Sequence, residues 1–232
     1  MTQTLFPSPA WPTVPVKGET AEYPVHRVFC VGRNYAAHAA EMGVEVDREA
    51  PFYFTKSALT ILPTGQTYPY PPGTGNFHYE MEFVVAIGKP AFRVSVDEAL
   101  EAVFGYATGL DMTRRDLQLA ARAKQRPWDL GKDVEGSSVI APITRAADFG
   151  TIGDQKVQLS VDGELRQDAR LSDLIWSVAE LVADLSKFYH LEPGDLIYTG
   201  TPAGVGAVTP GQSIHGTIDG LDPVNLTVGA PE

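Results

Sequence analysis

The chain has 232 residues, 44% hydrophobic and 20% charged, enough apolar material for one domain with a substantial core. Eighteen Lys and Arg against 29 Asp and Glu leave a formal charge of −11, which argues against nonspecific binding to nucleic acid or to an anionic membrane surface. No apolar run approaches the roughly 20 residues needed to cross a bilayer.

Residues 1–24 are rich in proline and polar residues and read as an extended arm; residues 25–232 read as one domain. The start lacks a basic stretch followed by an apolar one, the pattern of a secretory signal, so the cytoplasm is the expected compartment. Arg27–Val31 is a short β run whose single cysteine, Cys30, sits among Val28, Phe29 and Val31 and reads as buried packing. Asn34 is placed to cap a helix over about 35–42, with Gly43 as its stop. Short strands follow at 51–54 and 60–62. In 80–88, Met81, Phe83, Val85 and Ile87 alternate with Glu80, Glu82, Val84 and Ala86, which predicts a strand.

Ser95 and Glu98 have capping-box spacing and open a helix to about Val103. A strand over 105–110 ends at Asp111, and Thr113 is placed to cap a helix to about Lys124. Asp162-Gly163 between 157–161 and 164–167 predicts a hairpin. Leu174, Ile175, Val178, Leu181, Val182, Leu185 and Phe188 fall at helical spacing, predicting a helix over 173–188. Strands at 195–199, 212–218 and 224–228 close the chain. Strands dominate without a regular βαβ alternation, which argues against a doubly wound sheet.

Residues i and i+2 of a strand share a face, so Glu80 and Glu82 are side by side among bulky apolar neighbours. Paired carboxylates there need a cation or a proton. A hard divalent ion suits them, and Asp111 at a strand end is a candidate third ligand. A solvent-facing strand edge is the plainer alternative. No His/Cys cluster has zinc spacing. His38 and Glu41, three apart in a short helix, share a face, and a carboxylate on an imidazole suits activation of water. Lys132 follows an aromatic and apolar stretch and is a candidate for holding a substrate carboxylate or an enolate. Arg115 and Gln118 share a helix face just after Asp111. The segment 198–206 is a strand followed by a glycine-rich turn whose backbone N–H groups are suited to a carboxylate; it lacks the Gly-Lys-Ser/Thr of a nucleotide-binding loop.

The order of these segments resembles the fumarylacetoacetate hydrolase superfamily. Val31-Gly-Arg-Asn-Tyr-Ala-Ala-His38-Ala-Ala-Glu41 is similar to its lid segment, and His78-Tyr-Glu80-Met-Glu82 to its E-x-E metal motif. Gly109-Leu-Asp111-Met-Thr-Arg-Arg115-Asp, Pro127-Trp-Asp-Leu-Gly-Lys132 and Gly194–Pro202 complete the set. The wording of 105–115 and 174–178 resembles the fumarylpyruvate hydrolases of gentisate-type aromatic degradation. The resemblance implies a strand-rich α+β fold, a mixed β-sandwich or roll with a few helices. It also implies an Mg²⁺ or Mn²⁺ cofactor on Glu80, Glu82 and Asp111, a homodimer, and C–C bond hydrolysis in an acylpyruvate, a small 2-oxo acid. His38, Glu41 and Lys132 are then the catalytic candidates, and Arg33, Arg115, Gln118 and Thr201 the substrate-binding ones. Oxaloacetate decarboxylation or keto–enol tautomerisation is the alternative on the same scaffold. Two departures fall near the expected pocket: Ser57 stands after Lys56 where relatives often have proline, and 133–138 lacks the aromatic that relatives commonly carry.

Overall fold

A computed structural model describes residues 5–7, 10–41, 43 and 48–232. A mixed sheet runs in the order Phe52–Lys56, Arg27–Gly32, Asp195–Tyr198, Met81–Ile87, Val103–Asp111, Ser138–Ile140, Ile61–Pro63. Its Arg27–Gly32/Asp195–Tyr198 and Ser138–Ile140/Ile61–Pro63 pairs are parallel; the others along it are antiparallel. A second, five-stranded sheet runs Glu164–Arg170, Lys156–Val161, Ser213–Ile218, Val224–Gly229, Gln66–Pro69. The molecule is strand-rich with a few short helices, and none of its helices is long and apolar enough to cross a membrane among the described residues.

The strand Met81–Ile87 explains the architecture. All seven of its residues are buried, so it is central rather than an edge. Met81, Phe83, Val85 and Ile87 join Leu159, Ile214 and Leu226 of the second sheet in one core. Val84 and Ala86 join Cys30, Ala107, Leu196 and Tyr198 in another. The alternation in the sequence therefore separates two cores, and a solvent-facing edge is excluded. Residues 13–24 cover the second core: Thr13–Pro15 pairs with Glu22–Pro24, and the buried Tyr23 donates from its hydroxyl to the carbonyls of Ile87 and Asp195.

Local chemistry sets most boundaries. Ser95 and Glu98 form the expected capping box, although the helix they open, Val96–Ala99, tightens into a 3₁₀ turn at Leu100–Ala102. Asp162 and Gly163 both have positive φ, 49° and 82°, as a two-residue hairpin turn of this hand requires. The helix expected over 173–188 is shorter, Val178–Leu185. Its start is fixed by Ser177 and Glu180, whose side chains satisfy each other's backbone N–H groups. Residues 174–176 instead pair with the segment around Asn34. Asn34 consequently caps no helix. Its amide nitrogen donates to the carbonyls of Trp176 and Thr199, and its oxygen accepts from the Trp176 N–H. The helix beyond it is Ala36–Glu41; Met42, at its expected end, lies outside the described residues. Thr113 likewise caps nothing: it pairs with His78 in a three-stranded sheet, and the helix Arg115–Ala123 begins two residues later.

Candidate active site

Glu80 follows the short strand Phe77–Tyr79, Glu82 lies in Met81–Ile87, and Asp111 ends the neighbouring Val103–Asp111. The antiparallel register sets Met81 opposite Leu110, which brings the two acidic strand ends together. One oxygen from each carboxylate falls within 4.8 Å of the others, and all three residues are buried.

Three cations surround them. Lys132 Nζ donates at 2.6 Å to both Glu80 Oε2 and Asp111 Oδ2. Arg115 pairs with Glu80 Oε1 and also holds Gln118 Oε1. Lys56, its ammonium fully buried, donates to Asp111 Oδ1 at 2.7 Å and to the Ser137 carbonyl at 3.0 Å. Burial pushes Glu80 up, but Lys132 and Arg115 outweigh it and hold the carboxyl well below the usual range. Burial would strip Lys132 of its charge, yet Asp111 and Glu80 hold it above the usual lysine value. Glu82 differs. Burial first, then Asp111 and Glu80, push it well above the usual carboxylate range, and its hydrogen bond is from the Gly200 N–H at 2.8 Å. The trio thus offers three hard oxygen donors, of which Glu82 alone lacks a paired cation, a donor set that fits Mg²⁺ or Mn²⁺.

His38 and Glu41 meet on the Ala36–Glu41 helix, with Nδ1 3.1 Å from Glu41 Oε2. A carboxylate only accepts, so Nδ1 carries the hydrogen and the lone pair of Nε2 is left for a proton. The glycine-rich turn sets the other side of both acid groups. Gly200 N–H goes to Glu82, and Gly204 N–H lies 3.3 Å from each oxygen of Glu41. The carboxylates received by this turn are therefore the chain's own. Gly204 has φ 94°, and a Cβ there would fall 2.1 Å from the Arg166 carbonyl, so only glycine allows this approach. Thr201 is buried beside the trio, held by Gln167, whose Nε2 donates to Thr201 Oγ1 and to the Pro202 carbonyl. Gln167 Oε1 in turn accepts from Met81 N–H, linking the second sheet to the acidic strand.

One cavity collects His38, Glu80, Glu82, Asp111, Lys132 and Thr201, with Arg33, Arg115 and Gln118 also on its wall. About 510 Å³ of non-atom space lies between these residues, open solvent at the mouth included. Glu41 is behind His38, and Lys56 is behind Asp111. The sequence departure at Ser57 has a local use: its N–H donates to Asp133 Oδ1 at 2.8 Å, a bond that a proline could not make. Ser137, in the second departure, donates to the carbonyls of Lys132 and Val134 and closes the turn beneath Lys132.

Sequence reasoning gave no role to Lys56, Gln167 or His78. Lys56 ends an apolar strand, which was a usable signal. Gln167 is the sole buried residue of a largely exposed hairpin strand, and nothing in the sequence separates it from its polar neighbours. His78 Nδ1 faces Arg115 Nε at 3.4 Å and its Nε2 faces Asn76 Oδ1 at 2.8 Å. Arginine only donates, so Nδ1 accepts, Nε2 carries the hydrogen and the ring is neutral. Burial, then the Arg115 charge, lower its pKa from 6.5 to about 4. The unfolded chain therefore binds a proton between pH 6.5 and 4 that the folded protein refuses, so stability falls as pH falls through that window. His78→Gln keeps a donor and an acceptor without titrating. Its melting temperature is expected to fall less steeply between pH 6.5 and 4 than the wild type's; parallel profiles would remove His78 as the source.

The chain is similar to known proteins over most of its length. Residues 27–229 match the family model described as fumarylacetoacetate (FAA) hydrolase C-terminal. The chain is 55% identical over 194 residues to fumarylpyruvate hydrolase of Ralstonia sp, covering 82% of this chain and all of that one. It is 36% identical over 205 residues to oxaloacetate tautomerase YcgM of Escherichia coli (strain K12), covering 88% and 93% of the two chains. The crystal structure of fumarylpyruvate hydrolase from Pseudomonas aeruginosa in complex with Mn²⁺ and pyruvate superposes with a TM-score of 0.95 at 48% identity, covering 98% of this chain and 100% of that one.

Proposed function

The chain belongs to the fumarylacetoacetate hydrolase family, and on that premise we propose that it hydrolyses fumarylpyruvate to fumarate and pyruvate with Mg²⁺ or Mn²⁺, as a cytoplasmic homodimer whose catalytic unit is residues 25–232. The observation that carries the chemistry is the placing of a His–carboxylate pair and a buried three-carboxylate cluster on one cavity. The similarity to fumarylpyruvate hydrolase of Ralstonia sp supports the choice of acyl group.

Glu80, Glu82 and Asp111 are the residues that would hold the ion. A divalent ion there supplies Lewis acidity to a chelating 2-oxo acid, which selects for that group and draws electrons toward it. His38 Nε2 takes a proton from water, while Glu41 fixes the ring and stabilises the imidazolium. The hydroxide adds to C4 of the acylpyruvate. The C3–C4 bond breaks, its electron pair passes into the pyruvate fragment as an enolate, and C4 becomes the new carboxyl of fumarate. The Lys132 ammonium stabilises the charge as it develops. Imidazolium His38 is the source of the proton that C3 then takes, which closes the balance at one water consumed. Thr201, Gln118 and Arg115 hold the substrate in place, with Arg115 already engaged by Glu80 and Gln118.

Oxaloacetate chemistry is the second reading, favoured by the 36% identity to an oxaloacetate tautomerase. The test is turnover of fumarylpyruvate by purified protein, followed by loss of enol absorbance. Fumarate and pyruvate are expected in equal amounts, with activity abolished by chelator and restored by Mg²⁺ or Mn²⁺. Oxaloacetate consumption without fumarylpyruvate cleavage would replace the hydrolase reading with the second.

A further inference from the structure

The cations in the cavity are not all spent on the acidic trio. Lys132, Arg115 and Lys56 are paired with it. Arg33 and Arg122 line the same cavity, and among the described residues neither guanidinium has an ion pair or hydrogen bond. Both also line the adjoining surface basin with Phe52 and Trp128, so they stand at the mouth, between solvent and the buried acids. Arg33 is held with its guanidinium 5.6 Å from the centre of the Phe52 ring. Its backbone has φ 60°, a conformation that is uncommon and strained for a non-glycine residue. Burial and the nearby Arg122 charge both work against the cation at Arg33. Two like charges facing one cavity, in a chain of net charge −11, lack an anion.

We propose that Arg33 and Arg122 together receive the distal carboxylate of the substrate and make the site selective for long, dianionic acylpyruvates. The inference rests on the acylpyruvate reading, which sets the 2-oxo-acid end at Glu80, Glu82 and Asp111 and the C4 carbonyl toward His38. The remaining arm, C5 to C7, then runs outward and ends in a carboxylate at the mouth. In oxaloacetate the second carboxylate is at C4 and falls short of the two arginines. An acylpyruvate ending in a methyl group gives them nothing to bind. Arg33 was a candidate for substrate binding by resemblance; Arg122, in the last turn of Arg115–Ala123, had no sequence signal apart from its charge.

The experiment compares two seven-carbon 2-oxo acids that differ only at the far end, 2-oxoheptanedioate and 2-oxoheptanoate, by calorimetry on Mn²⁺-loaded protein. The wild type is expected to prefer the diacid by about 10- to 100-fold, the yield of charge-assisted hydrogen bonds to one carboxylate. Arg122→Gln and Arg33→Gln are each expected to lose most of that preference, weakening the diacid far more than the monoacid; Arg122→Lys is expected to keep part of it. In turnover, Arg122→Gln is expected to raise KM for fumarylpyruvate much more than KM for acetylpyruvate, with kcat falling less than KM rises. Equal binding of the two acids by the wild type, or equal loss for both acids in the variants, overturns the proposal. A wild type that prefers the diacid but cleaves no acylpyruvate would sink the hydrolase reading and leave the two arginines as a dicarboxylate clamp.

Discussion

Glu82→Gln is expected to abolish divalent-ion binding and to lose on the order of 10³-fold in kcat/KM, while the metal-free variant is at least as stable as the metal-free wild type. The two effects have opposite signs because Glu82 is the acid the chain itself does not neutralise. Glu80 has Lys132 and Arg115, and Asp111 has Lys56 and Lys132. Glu82 has a backbone N–H, and burial with its two acidic neighbours pushes its carboxyl well above the usual carboxylate range. As pH rises through that range, the unfolded chain releases a proton that the folded protein still holds, so stability falls until the folded group also ionises, and the full loss remains above that point. Glutamine keeps an oxygen for Gly200 N–H and removes that cost, but it removes the anionic ligand too. The same exchange at Asp111 would leave two buried ammonium groups short of a partner and destabilise the fold. Titration calorimetry with Mg²⁺ and Mn²⁺, beside thermal unfolding in chelator, tests both halves. A metal-free Glu82→Gln protein that melts well below wild type, or one that binds the ion with wild-type affinity, would contradict the account.

The acidic trio was legible in the sequence because strand geometry and residue type converge there. Period two puts Glu80 and Glu82 on one side, and an apolar strand that stops at Asp111 marks an acidic end. Burial was not legible. Met81–Ile87 alternates as an edge strand would, and only the second core, built from Val84 and Ala86 with Cys30, Leu196 and Tyr198, makes it central. The His38–Glu41 pair followed from helical spacing, but its anchor did not. Gly204 is 163 residues from Glu41 in sequence, and glycine there reads equally as a simple turn. Helix ends were misplaced where a side chain found a distant partner. Asn34 spends its amide on Trp176 and Thr199, which removes the expected cap and shortens the expected 173–188 helix from its N-terminal side. Lys56, Gln167 and His78 act on the site through Asp111, Thr201 and Arg115 respectively. Such contacts across sheets leave no periodic trace in one chain.

His38→Ala is expected to slow fumarylpyruvate hydrolysis by about 10²- to 10⁴-fold, the usual span for a lost general base, and to leave unchanged whatever oxaloacetate decarboxylation the wild type shows. Hydrolysis needs water deprotonated at C4, and Nε2 of His38 is the lone pair on the cavity wall that Glu41 leaves available. Decarboxylation breaks a C–C bond with no water added; it would draw on a divalent ion held by the acidic trio and on the Lys132 cation, either of which stabilises an enolate. The two reactions therefore divide the site between its two halves. Glu41→Gln is the milder case, because the amide can still accept from Nδ1 and from Gly204 N–H but no longer stabilises an imidazolium. Side-by-side rates for both substrates decide the matter. If both fall together in His38→Ala, His38 serves a step shared by the two reactions, and water activation must be assigned elsewhere. If hydrolysis persists, the dyad is structural, and its tie to Gly204 becomes the reason for the pair.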